Sequence, residues 1–249
     1  MIHYNRYGKE GNPILLYIHG FLGSEEIYRE HIEFMQEDYD CIAVDFAGHG
    51  KSAFIEVEPT IDGYLAQIEE VLKKENVEKA VWVGHSMGGY IVLRALEKKL
   101  PTISKAVLAY SAVSADDEKT KEKRDKQKEA IAQDGVFHFV KSTLPAFFKK
   151  ETDEAIVEEA IRIATPVSEH GLYTALDAMK SRKNQQQTID TTEIPVLIIE
   201  GVQDEIVQPI ETNNPKVKKV QTNTGHLGMM EAPQPFTTHL MQFLHENDN

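Results

Sequence analysis

The sequence predicts an α/β fold, with a mostly parallel central sheet flanked by helices and interrupted once by an inserted helical segment. Short apolar runs alternate with segments of helical period, the pattern of successive βαβ units. Between residues 114 and 192 helix-favouring composition continues and no run resembles a strand. The chain has 249 residues, 41% of them hydrophobic, enough to bury the core of one domain.

The elements follow in chain order. Ile2 to Tyr7 reads as an edge strand before a turn around Gly8 to Pro13, and Ile14 to Ile18 as the first interior strand. Cys41 to Phe46, Ala80 to Gly84 and Ala106 to Tyr110 are the next three. Between the second and third of these interior runs, Ile61, Leu65, Ile68 and Leu72 recur at helical spacing behind Thr60, which is suited to be an N-cap. Val196 to Glu200 and Val217 to Gln221 complete the sheet. Phe236, Leu240, Phe243 and Leu244, after Pro233 and Pro235, form a last amphipathic helix. The expected division is a core of 1–113 and 193–249 with a cap of 114–192. Within the cap, Val136, Phe137, Phe139, Val140, Leu144, Phe147 and Phe148 carry more apolar bulk than a free surface helix does, so the insertion is expected to lie over the sheet.

Composition excludes several classes of function. A net charge of −13 and the absence of a clustered basic patch argue against nucleic acid and anionic membranes as partners. The mixed-sign run Asp116 to Glu129 interleaves acids and bases as a solvated helix does. Met1 to Arg6 lacks the pattern of a secretory leader and the apolar runs are too short to span a bilayer, so a cytoplasmic location is expected. The single cysteine, Cys41, heads an apolar run and reads as a buried small hydrophobe. No metal is expected, because there is no H-E-x-x-H and no close His/Cys cluster. Gly50-Lys51-Ser52 resembles the end of a phosphate-binding loop, but Asp45 stands where that motif requires glycine.

The chemistry lies elsewhere. Gly84-His85-Ser86-Met87-Gly88 fits G-x-S-x-G between a strand and a helix, where a sharp turn exposes the serine hydroxyl. Its base must be near in space and distant in sequence, and His226, on the loop after the last strand, fits that position. The orienting acid is expected at Asp204, after the strand Val196 to Glu200. Glu200 is still within that strand, Glu205 faces away, and Asp116-Asp117 follow an earlier strand. Backbone N–H groups of Met87 and Phe21 are the candidate donors to a developing oxyanion. Phe137, Phe147 and Phe148 are candidate pocket residues.

Taken with His19-Gly20-Phe21-Leu22-Gly23-Ser24, Asp45 to Ser52 and Gly225-His226 followed by Glu231-Ala232-Pro233, these motifs make the whole chain resemble an α/β-hydrolase of the branch with a helical cap. The resemblance implies an esterase that needs no cofactor, with a small-molecule ester as its partner. It leaves oligomeric state and natural substrate open. Serine at the elbow disfavours dehalogenase and epoxide hydrolase chemistry, which uses aspartate there. Carbon–carbon bond hydrolases, thioesterases and lactonases remain, as does the menaquinone-pathway synthase, whose motif is similar to residues 19–24. For that synthase's multiply anionic substrate the cap offers only Arg124, Arg162 and Arg182. A small-molecule receptor that keeps an intact triad is the alternative outside enzymes.

Overall fold

A computed structural model describes residues 1–246. Its sheet has seven strands: β1 (Tyr4–Tyr7), β2 (Ile14–Ile18), β3 (Asp40–Val44), β4 (Ala80–His85), β5 (Ile103–Ala109), β6 (Val196–Gly201) and β7 (Val217–Thr222). They lie in the order β1-β3-β2-β4-β5-β6-β7, with β1 antiparallel to β3 and every other pair parallel. The boundaries differ from the sequence reading by up to three residues. The third strand begins at Asp40, which pairs in register with Ile14, and stops at Val44, before the turn that Asp45 organises.

Burial explains the composition of the strands. Leu15 to Ile18, Cys41 to Val44 and Trp82-Val83 are fully buried, as a sheet covered on both faces requires. The edge strand β7 carries Lys218 and Lys219, which blunts it against pairing with another chain. The order reverses at β2, which neighbours both β3 and β4. Right-handed crossovers therefore send α1 (Arg29–Met35) and α2 (Ile61–Lys74) to opposite faces. α2 begins where expected, Thr60 Oγ1 accepting from the Gly63 N–H. α3 (Met87–Glu97) packs beside α2, and the terminal helix (Pro233–His245) packs on α1, β6 and β7.

Four helices and one short 3₁₀ turn fill the interval between β5 and β6: α4 (Glu118–Thr143), the turn Leu144–Phe147, α5 (Glu154–Ala164), α6 (Glu169–Ser181) and α7 (Gln186–Thr191). α4 is broken at Gly135, whose φ of 80° leaves the helical region. Past the break, Phe139, Val140, Leu144, Phe147 and Phe148 are buried. Among the described residues no helix is long and apolar enough to cross a membrane. Cys41 is fully buried, and Asp45 is held by the Glu25 and Lys51 N–H groups, so the residues resembling a phosphate loop form a pinned turn.

Candidate active site

Ser86, Asp204 and His226 stand on three loops at the C-terminal ends of β4, β6 and β7, where open α/β sheets place their ligands. The elbow is tight enough to dictate its own sequence. Ser86 sits at φ 49°, ψ −113°, outside the regions an ordinary residue occupies. A Cβ at Gly88 would come within 2.3 Å of the Ile18 carbonyl oxygen, so only glycine lets α3 start this close to β2.

The three side chains form one hydrogen-bonded line. Asp204 Oδ2 lies 2.8 Å from His226 Nδ1, and His226 Nε2 lies 2.8 Å from Ser86 Oγ. A carboxylate can only accept here, so Nδ1 carries the proton. Nε2 is then the bare nitrogen that receives the serine O–H. The Asp204 side chain is 5% exposed and its other oxygen accepts from the N–H groups of Ile206 and Val207. Its rivals are otherwise occupied: Glu205 is exposed, Glu200 Oε1 accepts from the Ile210 N–H, and Asp116 binds two arginines.

The two candidate oxyanion donors both adjoin Ser86. Met87 is the first residue of α3, so its N–H has no partner within the helix. A Cβ on Gly20 would lie 2.9 Å from Ser86 Cβ, which places the Gly20–Phe21 peptide against Ser86. His19 sets the orientation of that peptide. Its Nε2 accepts from the Phe46 N–H at 3.0 Å, so Nδ1 carries hydrogen and donates to the Gly20 carbonyl at 2.7 Å. In a trans peptide the Phe21 N–H then points the opposite way. Burial keeps His19 neutral, its pKa lowered to about 4.

Sequence reasoning missed three supports of His226. His85 Nε2 donates to the His226 carbonyl at 2.9 Å, and complete burial holds that imidazole neutral, far below its ordinary pKa. The His226 N–H donates to the Phe147 carbonyl at 2.7 Å, and a Cβ at Gly225 would strike that same carbonyl. Glu231 accepts from the Gly225 N–H and from Thr152 Oγ1, and half-burial raises its pKa. His85 lies inside the motif and Glu231 five residues past the histidine, so both were legible as neighbours. The Phe147 contact is made by main chain, and its trace in the sequence is a glycine at 225, where a Cβ would not fit.

A cavity of about 450 Å³ opens beside Ser86 and His226, walled by Phe21, Tyr90, Phe147 and Met179. Of the candidate aromatics Phe147 lines it. Phe148 is buried but lies outside the wall, and Phe137 is 59% exposed on the outer face. The reason is the helix break at Gly135, which resets the face so that Phe139 and Val140 turn inward and Phe137 outward. The solvated-helix reading of Asp116 to Glu129 also needs correction. Arg124 turns in from that run to the buried Asp116 and lines the same cavity. A larger hollow of about 790 Å³, lined in part by Leu96, Pro101, Ile103 and Ile194, contains none of the three converging residues.

The profile of the family described as alpha/beta hydrolase fold matches residues 13–233. A 2-hydroxy-6-oxo-6-(2'-aminophenyl)hexa-2,4-dienoic acid hydrolase of Metapseudomonas resinovorans is 27% identical over 251 residues, covering 94% of this chain and 84% of that one. The bifunctional esterase/perhydrolase DCH of Acinetobacter calcoaceticus is 27% identical over 240 residues, 89% of this chain and 85% of its own. The solved structure of MenH from S. aureus superposes with a TM-score of 0.87 at 26% identity, covering 100% of both chains.

Proposed function

We propose, starting from the fact that this chain belongs to the α/β-hydrolase family, that it is a serine esterase with Ser86 as nucleophile, His226 as base and Asp204 as orienting acid. The observation that carries this reading is the unbroken line Asp204–His226–Ser86, with 2.8 Å at each step, beside a cavity large enough for a small ester. In the proposed reaction Ser86 Oγ attacks the ester carbonyl while His226 Nε2 takes the hydroxyl proton. The carbonyl oxygen becomes an oxyanion facing the Phe21 and Met87 N–H groups. Collapse breaks the bond to the alcohol, which leaves with the proton from His226. Water then repeats the sequence on the acyl-enzyme, releasing the acid and restoring Ser86. Asp204 keeps its charge throughout and stabilises the imidazolium between steps. Residues 114–192 act as the cap over this centre, on a core of 1–113 and 193–249.

A second reading, a carbon–carbon bond hydrolase, is favoured by the likeness to the Metapseudomonas enzyme. It uses the same nucleophile with a carbon leaving group. A fluorophosphonate probe and a panel of p-nitrophenyl esters test the first reading: rapid multiple turnover with stoichiometric labelling of Ser86 is expected. Labelling of Ser86 without ester turnover would shift the assignment to the second reading. A single slow turnover coupled to binding of another protein would make the chain a receptor.

A further inference from the structure

One wall of the cavity beside Ser86 is charged, although the chain as a whole carries −13. Asp116, just before α4, has a side chain only 1% exposed. Arg124 Nε donates to its Oδ2 at 3.1 Å, and Arg182 Nη1, reaching over from the end of α6, donates to its Oδ1. Both guanidinium groups are mostly buried, Arg182 to 9% and Arg124 to 16% exposure. Two mostly buried cations therefore face one buried carboxylate, leaving one positive charge in excess. Asp117 also borders the cavity, but it is exposed and its Oδ1 is taken by the Thr120 N–H at the start of α4.

The remaining hydrogen bonds show which donors are spent. Arg182 uses Nε on the Ser114 carbonyl and Nη1 on Asp116 and the Met179 carbonyl. Arg124 uses Nε on Asp116 and Nη1 on Gln127 at 3.4 Å. Among the described residues neither Nη2 has a hydrogen-bond partner. Arg182 also stacks on Tyr90, 4.3 Å from the ring centroid, which fixes the plane of its fork. Tyr90 lies four residues along α3 from Ser86, a rise of about 6 Å. Both arginines thus line the same cavity as Ser86.

A mostly buried excess cation with unspent donors is costly unless something anionic completes it. The geometry points to a substrate that is itself an anion: an ester carrying a carboxylate a few methylenes from the scissile carbonyl, gripped by Arg124 and Arg182 while Ser86 attacks. The inference rests on the esterase reading, and it places specificity in charge where the aromatic walls alone would select only by length. Arg162 has no part in it, since it lies on the outer surface paired with Glu26 and Glu159.

Two matched pairs of esters test this. p-Nitrophenyl hydrogen glutarate against p-nitrophenyl valerate places the carboxylate on the acyl side. The butyrate ester of 3-hydroxypropanoate against propyl butyrate places it on the alcohol side. In at least one pair the charged member should have a kcat/KM higher by about tenfold or more, in keeping with one charge-assisted contact. Arg124→Gln should bring that ratio down towards one. Asp116→Asn should move it the other way, raising the ratio several-fold, because it removes the internal competitor for the arginines. A merely structural role for the cluster cannot produce those opposite signs. Equal kcat/KM for charged and neutral members in both pairs, or a preference untouched by Arg124→Gln, would overturn the inference. If Asp116→Asn proves too unstable to assay, Arg124→Gln alone still decides. Turnover of the neutral esters with labelling of Ser86 in the unmodified protein shows separately whether the esterase reading stands.

Discussion

The two sides of the cavity beside Ser86 and His226 are held in place by different means. On the sheet side, Ser86, the Gly20–Phe21 peptide and the His226 loop are fixed by main-chain contacts, by glycines with no room for a Cβ, and by buried neutral histidines. On the cap side, Asp116, Arg124 and Arg182 are fixed by charge, and Lys128–Asp177 and Lys180–Asp125 tie α4 to α6 at the rim. Backbone and close packing hold atoms to within fractions of an ångström, which bond-making requires. Side-chain ion pairs are softer and easily rearranged, which suits selection among substrates. Changes on the sheet side should therefore act on kcat, and changes on the cap side on specificity.

The largest effect is expected at the centre of the rigid side. Ser86→Ala should abolish fluorophosphonate labelling and lower ester turnover by about 10⁴ to 10⁶, with the circular dichroism spectrum unchanged. Persistent labelling of another serine would place the nucleophile elsewhere. Next comes Asp204→Asn, which preserves shape but favours the wrong tautomer of His226, at a cost of roughly 10⁴ in kcat. The exposed Glu205, changed to Gln, should leave kcat nearly untouched, and a larger loss there would reassign the acid.

Acid should loosen the sheet side first. Burial lowers the pKa of His19 to about 4 and of His31 and His49 to about 3, whereas unfolded histidine titrates near 6.5. Between those values the unfolded chain binds protons that the folded chain refuses. The stability these groups contribute is complete above about pH 6.5 and is lost as pH falls through the window, on the order of 3 kcal/mol for His19. Urea midpoints followed by the fluorescence of the single tryptophan, Trp82 in β4, should fall steeply from pH 6.5 to 4. His31 is bonded to Tyr17 and Thr237 and is not one of the three residues in line at Ser86. His31→Gln should lower that slope by about one proton, and an unchanged slope would show that the buried imidazoles are not its source.

The smallest effect should come from the apolar part of the cap. Phe147→Ala enlarges the cavity wall, so the acyl-chain optimum, expected between acetate and hexanoate, should move longer by one to three carbons, with changes of about tenfold in kcat/KM for individual esters. Phe148→Ala should cost stability and leave the optimum in place, because that ring packs outside the wall. Phe137→Ala should do neither. A profile that stayed flat in Phe147→Ala would break the link between cap and specificity.

Much of the sheet side was legible in the sequence. Buried strands read as continuous apolar runs, and the elbow's glycines are demanded by geometry that leaves no alternative residue, so Ser86 and its neighbours announce themselves. Asp204 and His226 were singled out by their places after β6 and β7, and they lie in one hydrogen-bonded line with Ser86. The cap side was less legible for a physical reason. Which face of α4 turns inward depends on the break at Gly135, and that break reversed the expectation for Phe137. Arg124 sits in a run of alternating charges that looks like any solvated helix until Asp116 is seen to be buried opposite it. Pairing between residues 116, 124 and 182 is a tertiary fact with no periodicity to betray it.

The hydrogen bond from the His226 N–H to the Phe147 carbonyl joins the loop that bears the histidine to the inserted helices through main chain alone. Exchanging either side chain leaves its atoms in place. His226 is also buried, so its amide hydrogen should exchange with solvent far more slowly than those of the exposed Glu118 and Lys119 at the start of α4.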